Sequence, residues 1–182
     1  MSFKYEAFDP NVEIIGAVML ALIQSIRKDD IQPYLKEWNL TDIQPDKWYQ
    51  QQRWLNVLTD IGASSGESTN LFVSIGMKIA ETAPFLPGFM EASLEDKYLM
   101  WNDIYQNNHR GGDAGIIRGK VIERRHVEID VCFPYPDHLE YGAYYGLAKR
   151  FLPPGTPFTV RYKDANIRRE LGSPSTIYVI QW

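Results

Sequence analysis

The sequence predicts an α+β fold in which N-terminal helices pack on a four-stranded antiparallel sheet, with one further helix inserted between strands 2 and 3. Three observations predict it. From residue 9 to about 107, apolar side chains follow helical spacing, and from about 114 onward their period drops to two. The turn-rich stretch NNHRGGD at 107–113 separates the two patterns. Within the second half, PYPD at 134–137 stops a strand and opens a helix. No linker, repeat or low-complexity tract divides the halves, so residues 1–182 read as one domain.

The elements follow in order. Asp9-Pro10 has the form of an N-cap followed by proline at the first helical position, and predicts a helix to about Lys28. Its middle, Ile14 to Ile23, is apolar nearly all round, which places it in the core or against a second copy of the chain. Pro45 and Asp46 start a second helix that carries Trp48, Leu55, Val57 and Leu58 and stops at Gly62. Ser68 or Thr69 starts a third, with Leu71, Phe72, Ile75, Ile79 and Ala83 on one face, ended by Pro84, Pro87 and Gly88. Ser93 and Asp96 form a capping pair for a fourth helix ending near Gln106.

In the sheet half, strands run from about Ala114 to Glu123 and from His126 to Phe133. A turn centred on Arg125 would set Val121 opposite Ile129, Ile117 opposite Phe133 and Lys120 opposite Asp130. Asp137 and Glu140 have capping-box spacing for the inserted helix. Phe158, Val160 and Tyr162 mark the third strand, and Ser175 to Trp182 the fourth.

With 182 residues, 45% of them hydrophobic and 13% aromatic, the chain has material for a substantial core. A net charge of -4 and no Lys/Arg run longer than two residues disfavour a nucleic-acid partner. The apolar run Ile14 to Ile23 is about half of the roughly 20 residues that a membrane-spanning helix needs. The N-terminus lacks the pattern of a secretory signal, so a cytoplasmic location is expected. A single cysteine, Cys132, excludes an internal disulfide and any multi-cysteine zinc site.

Candidate chemistry concentrates in CFPYPDHLEYGAYYGLAKRF, residues 132–151. Leu139, Gly142, Ala143, Gly146, Leu147 and Phe151 share one helix face, from which the two glycines remove side chains. Each interior glycine costs about 1 kcal/mol relative to alanine, so a compensating close contact is expected. It is either packing on the sheet, a pocket floor beneath a flat ligand, or a subunit contact. Tyr141, Tyr144 and Tyr145 flank that face with apolar rings and one hydroxyl each.

On the second strand His126, Glu128, Asp130 and Cys132 alternate on one face, with side chains roughly 6 to 7 Å apart. Bonds of about 2.0 to 2.3 Å cannot bring all four to one zinc without other strands. A solvated face neutralised by Arg118, Lys120 and Arg161 is the simpler reading. No phosphate-loop, dinucleotide-binding, nucleophile-elbow or zinc-protease motif occurs, and His109 falls in a polar turn.

The order of DKWYQQQRWLNVLTDI, NLFVSIGMKIAE, the strand pair, PYPDHLEYGAYYGLAKRF and STIYVIQW resembles the ligand-binding domains related to the 4-vinyl reductase domain. These are similar in fold to heme nitric-oxide/oxygen-binding domains and to trafficking-complex subunits, and the resemblance spans residues 45–182. It implies helices against an antiparallel sheet, frequent dimerisation, and a small hydrophobic or cyclic ligand that controls a protein partner. In the 4-vinyl reductase group a cysteine-bearing motif near the last two strands is associated with metal binding. Here NIRRELGSPSTIYVIQW has Asn166, Arg168, Ser173 and Ser175 but no cysteine. The Tyr-x-Ser-x-Arg motif by which heme-binding relatives hold the propionates is also missing, so no cofactor, zinc or heme, is expected.

The leading expectation is a non-enzymatic, homodimeric ligand-binding or sensory domain. Its site residues are Phe133, Tyr135, His138, Tyr141, Gly142, Tyr145 and Gly146, around an apolar pocket roofed by N-terminal helices. One alternative is a small hydrolase or isomerase using His126 or His138 with Asp130. The other is a structural assembly protein.

Overall fold

The computed structural model describes residues 3–24, 26, 28–64, 68–82 and 85–182. Its first element is a strand, not the expected helix. Asp9 caps a turn through the Asn11 amide at 2.8 Å, and Glu13–Ile15 then forms β1. The isoleucines that look helical in sequence pair instead with β2 (Trp48–Gln50), Ile14 opposite Tyr49, and with β3 (His109–Arg110). This is tertiary pairing overriding local pattern: Ile14 and Ile15 are β-branched and fit a half-buried strand. The resulting three-stranded sheet, ordered β2-β1-β3, has no counterpart in the sequence expectation.

Helix α1 is therefore short, Gly16–Ile23, and α2 (Lys28–Glu37) follows as a separate helix. Within α1, Met19 and Leu22 are buried and Val18, Leu20 and Ile23 are half-buried. Helix α3 runs Gln51–Ser64, beginning after the strand instead of at Pro45 and passing through Gly62. Helix α4 runs Ser68–Thr82 with Phe72 and Ile75 inward, as their spacing implies; Ala83 and Pro84, expected at its end, lie outside the described residues. The Ser93 cap forms as read, its hydroxyl accepting the Asp96 amide at 3.1 Å, but the helix breaks at Met100 into α5 (Leu94–Leu99) and α6 (Trp101–Asn107).

The four-stranded antiparallel sheet has the order β4-β5-β7-β6, from β4 (Ile116–Glu123), β5 (His126–Cys132), β6 (Thr159–Tyr162) and β7 (Thr176–Gln181). Helix α7 (Asp137–Phe151) is inserted between β5 and β6, as expected. The β4–β5 register differs by two residues from the expected one. Val121 lies opposite Val127, Lys120 opposite Glu128 and Arg118 opposite Asp130, with a bulge between Val121 and Glu123. Arg125 sits at φ 62°, so Arg124 and Arg125 alone close the turn. Because the shift is even, both faces keep their side chains, and Val127, Ile129 and Val131 still point into the core.

The capping box read at Asp137 and Glu140 does not form. Asp137 is the first helical residue, and its carboxylate accepts the Thr176 hydroxyl at 2.7 Å, tying α7 to β7. Glu140 faces the other way, into the site. The core meets here: Tyr98 of α5, Tyr144 of α7 and Tyr178 of β7 are fully buried, and Tyr144 touches both others edge-on.

Candidate functional site

The crossing of α4 and α7 sets the site. A methyl built at Gly142 would stand 2.1 Å from the Val73 carbonyl oxygen, and one at Gly146 2.7 Å from Ala80 Cβ. Across the same crossing, a methyl at Gly76 would meet the Leu139 carbonyl oxygen at 1.9 Å. The close contact that the two glycines demand is thus with another helix, neither with the sheet nor with a ligand.

That crossing fixes Ile79 of α4 beside Leu139 and Ala143 of α7, which form one wall of an apolar cavity of about 80 Å³. Val18, Ala21 and Leu22 of α1, with Ile14 of β1, form the opposite wall. Trp101, Ile104 and Tyr105 of α6 close one end, and Phe133 and Tyr135 of the β5–α7 connection line it as well. Its polar groups are Asn108, His109 and Glu140, together with the tyrosine hydroxyls.

The polar groups at the α6–β3 end form a directed chain. His109 is buried, with Nδ1 2.8 Å from the Tyr105 carbonyl and Nε2 2.7 Å from the Tyr135 hydroxyl. A carbonyl only accepts, so Nδ1 carries the proton and Nε2 accepts from Tyr135. Gln51 donates its amide to the Tyr135 oxygen at 3.2 Å, and the Tyr105 hydroxyl donates to the Ala114 carbonyl. Burial lowers the His109 pKa to about 4, which keeps the ring neutral.

Glu140 is 3% exposed and accepts the Trp101 indole N–H at 2.8 Å. Burial raises its pKa to about 7, countered in part by the Tyr144 hydroxyl and the Trp101 indole. Among the described residues no lysine or arginine lines the cavity.

Among the site residues expected from sequence, Phe133 and Tyr135 line this cavity. Tyr141 and Tyr145 do not: their rings pack on Tyr162 and Phe158 at 5.8 and 4.9 Å. His138 belongs to a second, polar recess with Tyr5, Ser68, Thr69 and Glu170, and its Nδ1 meets the Tyr162 hydroxyl at 2.9 Å. The histidine–aspartate pair of the enzyme alternative is not assembled. Asp130 faces Arg118 at 3.7 Å, and His126 faces Glu123 at 3.6 Å. Glu128 is paired with Lys163 at 2.8 Å, and among the described residues no cluster of three or more His, Cys, Asp or Glu side chains has metal-binding geometry.

No family model and no curated protein matches the sequence. Solved structures do match the fold. An H-NOX family structure from work on heme distortion superposes with TM-score 0.71 at 13% identity, covering 92% of this chain and 94% of that one. An H-NOX protein from S. oneidensis in its Fe(II)NO ligation state gives 0.70 at 10% identity, covering 92% and 98%. An oxygen-binding H-NOX domain related to soluble guanylate cyclases gives 0.63 at 13% identity, covering 91% of each chain. The chain has the H-NOX fold.

Heme does not fit this version of the H-NOX fold. The cavity is smaller than the roughly 150 Å³ engineered cavity that holds one benzene. Both nitrogens of His109, the histidine of the cavity wall, are engaged, and among the described residues no lysine or arginine lines the cavity to meet propionates. A Tyr-x-Ser-x-Arg reading begun at Tyr135 meets Asp137 and the buried Leu139 instead of serine and arginine.

Sequence reasoning missed Gln51, Trp101, His109 and Glu140 as site residues. His109 sits in a stretch whose glycines signal a turn, and Glu140 matches a capping spacing, so local pattern explains both without a site.

Proposed function

We propose that the chain is a non-enzymatic small-molecule-binding sensory domain, whose ligand occupies the apolar cavity between α1, α4, α6 and α7 without heme. The supporting observation is the cavity itself: apolar walls from several elements around a few convergent polar groups, one of them a buried carboxyl with a displaced pKa. The structural neighbours include an oxygen complex and an Fe(II)NO complex, and the proposal carries over from them the binding of a small ligand inside this fold. A ligand on Val18 and Ala21 would shift α1 against α4 and pass occupancy to the N-terminal surface. Relationship to the 4-vinyl reductase domains, supported by the order of elements, and homodimer formation, supported by the apolar circumference of α1, are part of the same proposal.

Native mass spectrometry of protein taken from its own host tests the reading, because it shows bound molecules and subunit number together. A retained small molecule in the wild type, absent from Ala21→Phe, is expected. Uptake that survives with Ala21→Phe would place the ligand elsewhere and refute the assignment.

A further inference from the structure

Glu140 raises a question that packing alone does not answer. A glutamine would accept the Trp101 indole N–H equally well and carry no desolvation cost for a charge. The carboxyl adds only the capacity to become an anion inside an apolar wall. Among the described residues the Trp101 indole donates to it with full hydrogen-bond geometry, and the fully buried Tyr144 hydroxyl beside it, which interacts with this carboxyl, has no other hydrogen-bond partner. Among the described residues no cationic side chain lines the cavity, whereas the rings of Trp101, Tyr105, Phe133 and Tyr135 do. Buried charges are normally paired, and aromatic faces attract cations. An anionic ligand would meet like charge, and a purely apolar one would leave the carboxyl unpaired.

From this arrangement we infer that the cavity takes a small primary amine with an apolar body, its ammonium group on Glu140 and its carbon chain between Leu22, Ile79 and Ala143. The inference rests on the ligand-binding reading above and names its ligand class. A short aliphatic amine, n-butylamine, is the probe, with n-butanol as the uncharged match and butyrate as the anionic one.

The titratable groups around Glu140 are Tyr144 on its own helix, Tyr105 of α6, Tyr178 of β7, and His109 and Tyr135 in the cavity region. Burial raises all four phenols and lowers His109, so each is neutral near pH 7 and Glu140 alone titrates in that range. Amine affinity should therefore level off above about pH 7 and fall about tenfold for each unit below it.

The experiment is calorimetric titration of the three probes into the full chain between pH 5.5 and 8.5. The expected result is n-butylamine binding at least tenfold tighter than n-butanol at pH 8, with no detectable butyrate binding. Glu140→Gln should lose this preference and bind the alcohol at least as well as the amine. If that variant does not fold, the wild-type pH profile decides alone. Equal binding of n-butylamine and n-butanol by the wild type, flat with pH, overturns the amine assignment and leaves the ligand-binding reading standing. Binding of none of the probes overturns both.

Discussion

Replacing Gly142 by alanine tests the central packing claim, because the same substitution at Gly62 should act with the opposite sign. A methyl at Gly142 would stand 2.1 Å from the Val73 carbonyl oxygen and 2.8 Å from its carbon, whereas real contacts stay beyond 3.0 Å. Both sides are backbone, so α4 and α7 must part by about 1 Å. Overpacking of this kind costs about 1 to 3 kcal/mol, and two rigid backbones place it near the upper end. Alanine returns about 1 kcal/mol of helix propensity, leaving a net loss of about 2 kcal/mol. For a chain of this size that lowers Tm by about 4 to 8 °C. At Gly62 the added methyl would make an ordinary contact, 3.6 Å from the Phe72 ring. There the propensity gain stands nearly alone, and Tm should rise by about 2 to 4 °C. Thermal and urea melts of both variants measure this. A Gly142→Ala protein that melts at or above wild type would refute the claim that the glycine exists for the helix crossing, and so would parallel losses in both variants.

Two further expectations follow from the site. Glu140 has a folded pKa of about 7 against an ordinary 4.5, so its stabilising effect is complete below about pH 4.5 and is lost as pH rises through 7. His109 runs the other way: its folded pKa of about 4 lies below the ordinary 6.5, so its effect is complete above 6.5 and is lost as pH falls through 4. The two slopes oppose each other between about pH 4.5 and 6.5. Stability of Glu140→Gln should therefore rise with pH across that window and that of His109→Gln should fall, each relative to wild type in urea titrations. Matching profiles in all three proteins would contradict the burial of one or both groups. Separately, protein expressed with excess hemin should elute from gel filtration without a Soret band and without stoichiometric zinc by elemental analysis; a retained Soret band would refute the heme-fit argument.

What the sequence determined by itself was local. The period of two in Val127, Ile129 and Val131 identified a one-sided strand, and the Ser93–Asp96 pair formed the cap that its spacing implied. Two prolines placed the inserted helix, and Leu71, Phe72, Ile75 and Ile79 set the inward side of α4. Such signals work because they depend on neighbours within a few residues. Partners were decided only in three dimensions. Periodicity says that a face is buried without saying against what, so Gly142 and Gly146 announced a close contact and the tertiary structure made it α4. Ile14 and Ile15 suit a helix or a strand, and pairing with Trp48 and Tyr49 chose the strand. Asp137 and Glu140 have the spacing of a cap, yet Thr176, 39 residues away, and Trp101, also 39 residues away, claim their carboxyls. The cavity lies beyond local reading for the same reason: its walls come from β1, α1, α4, α6 and α7, and no short window of sequence contains them.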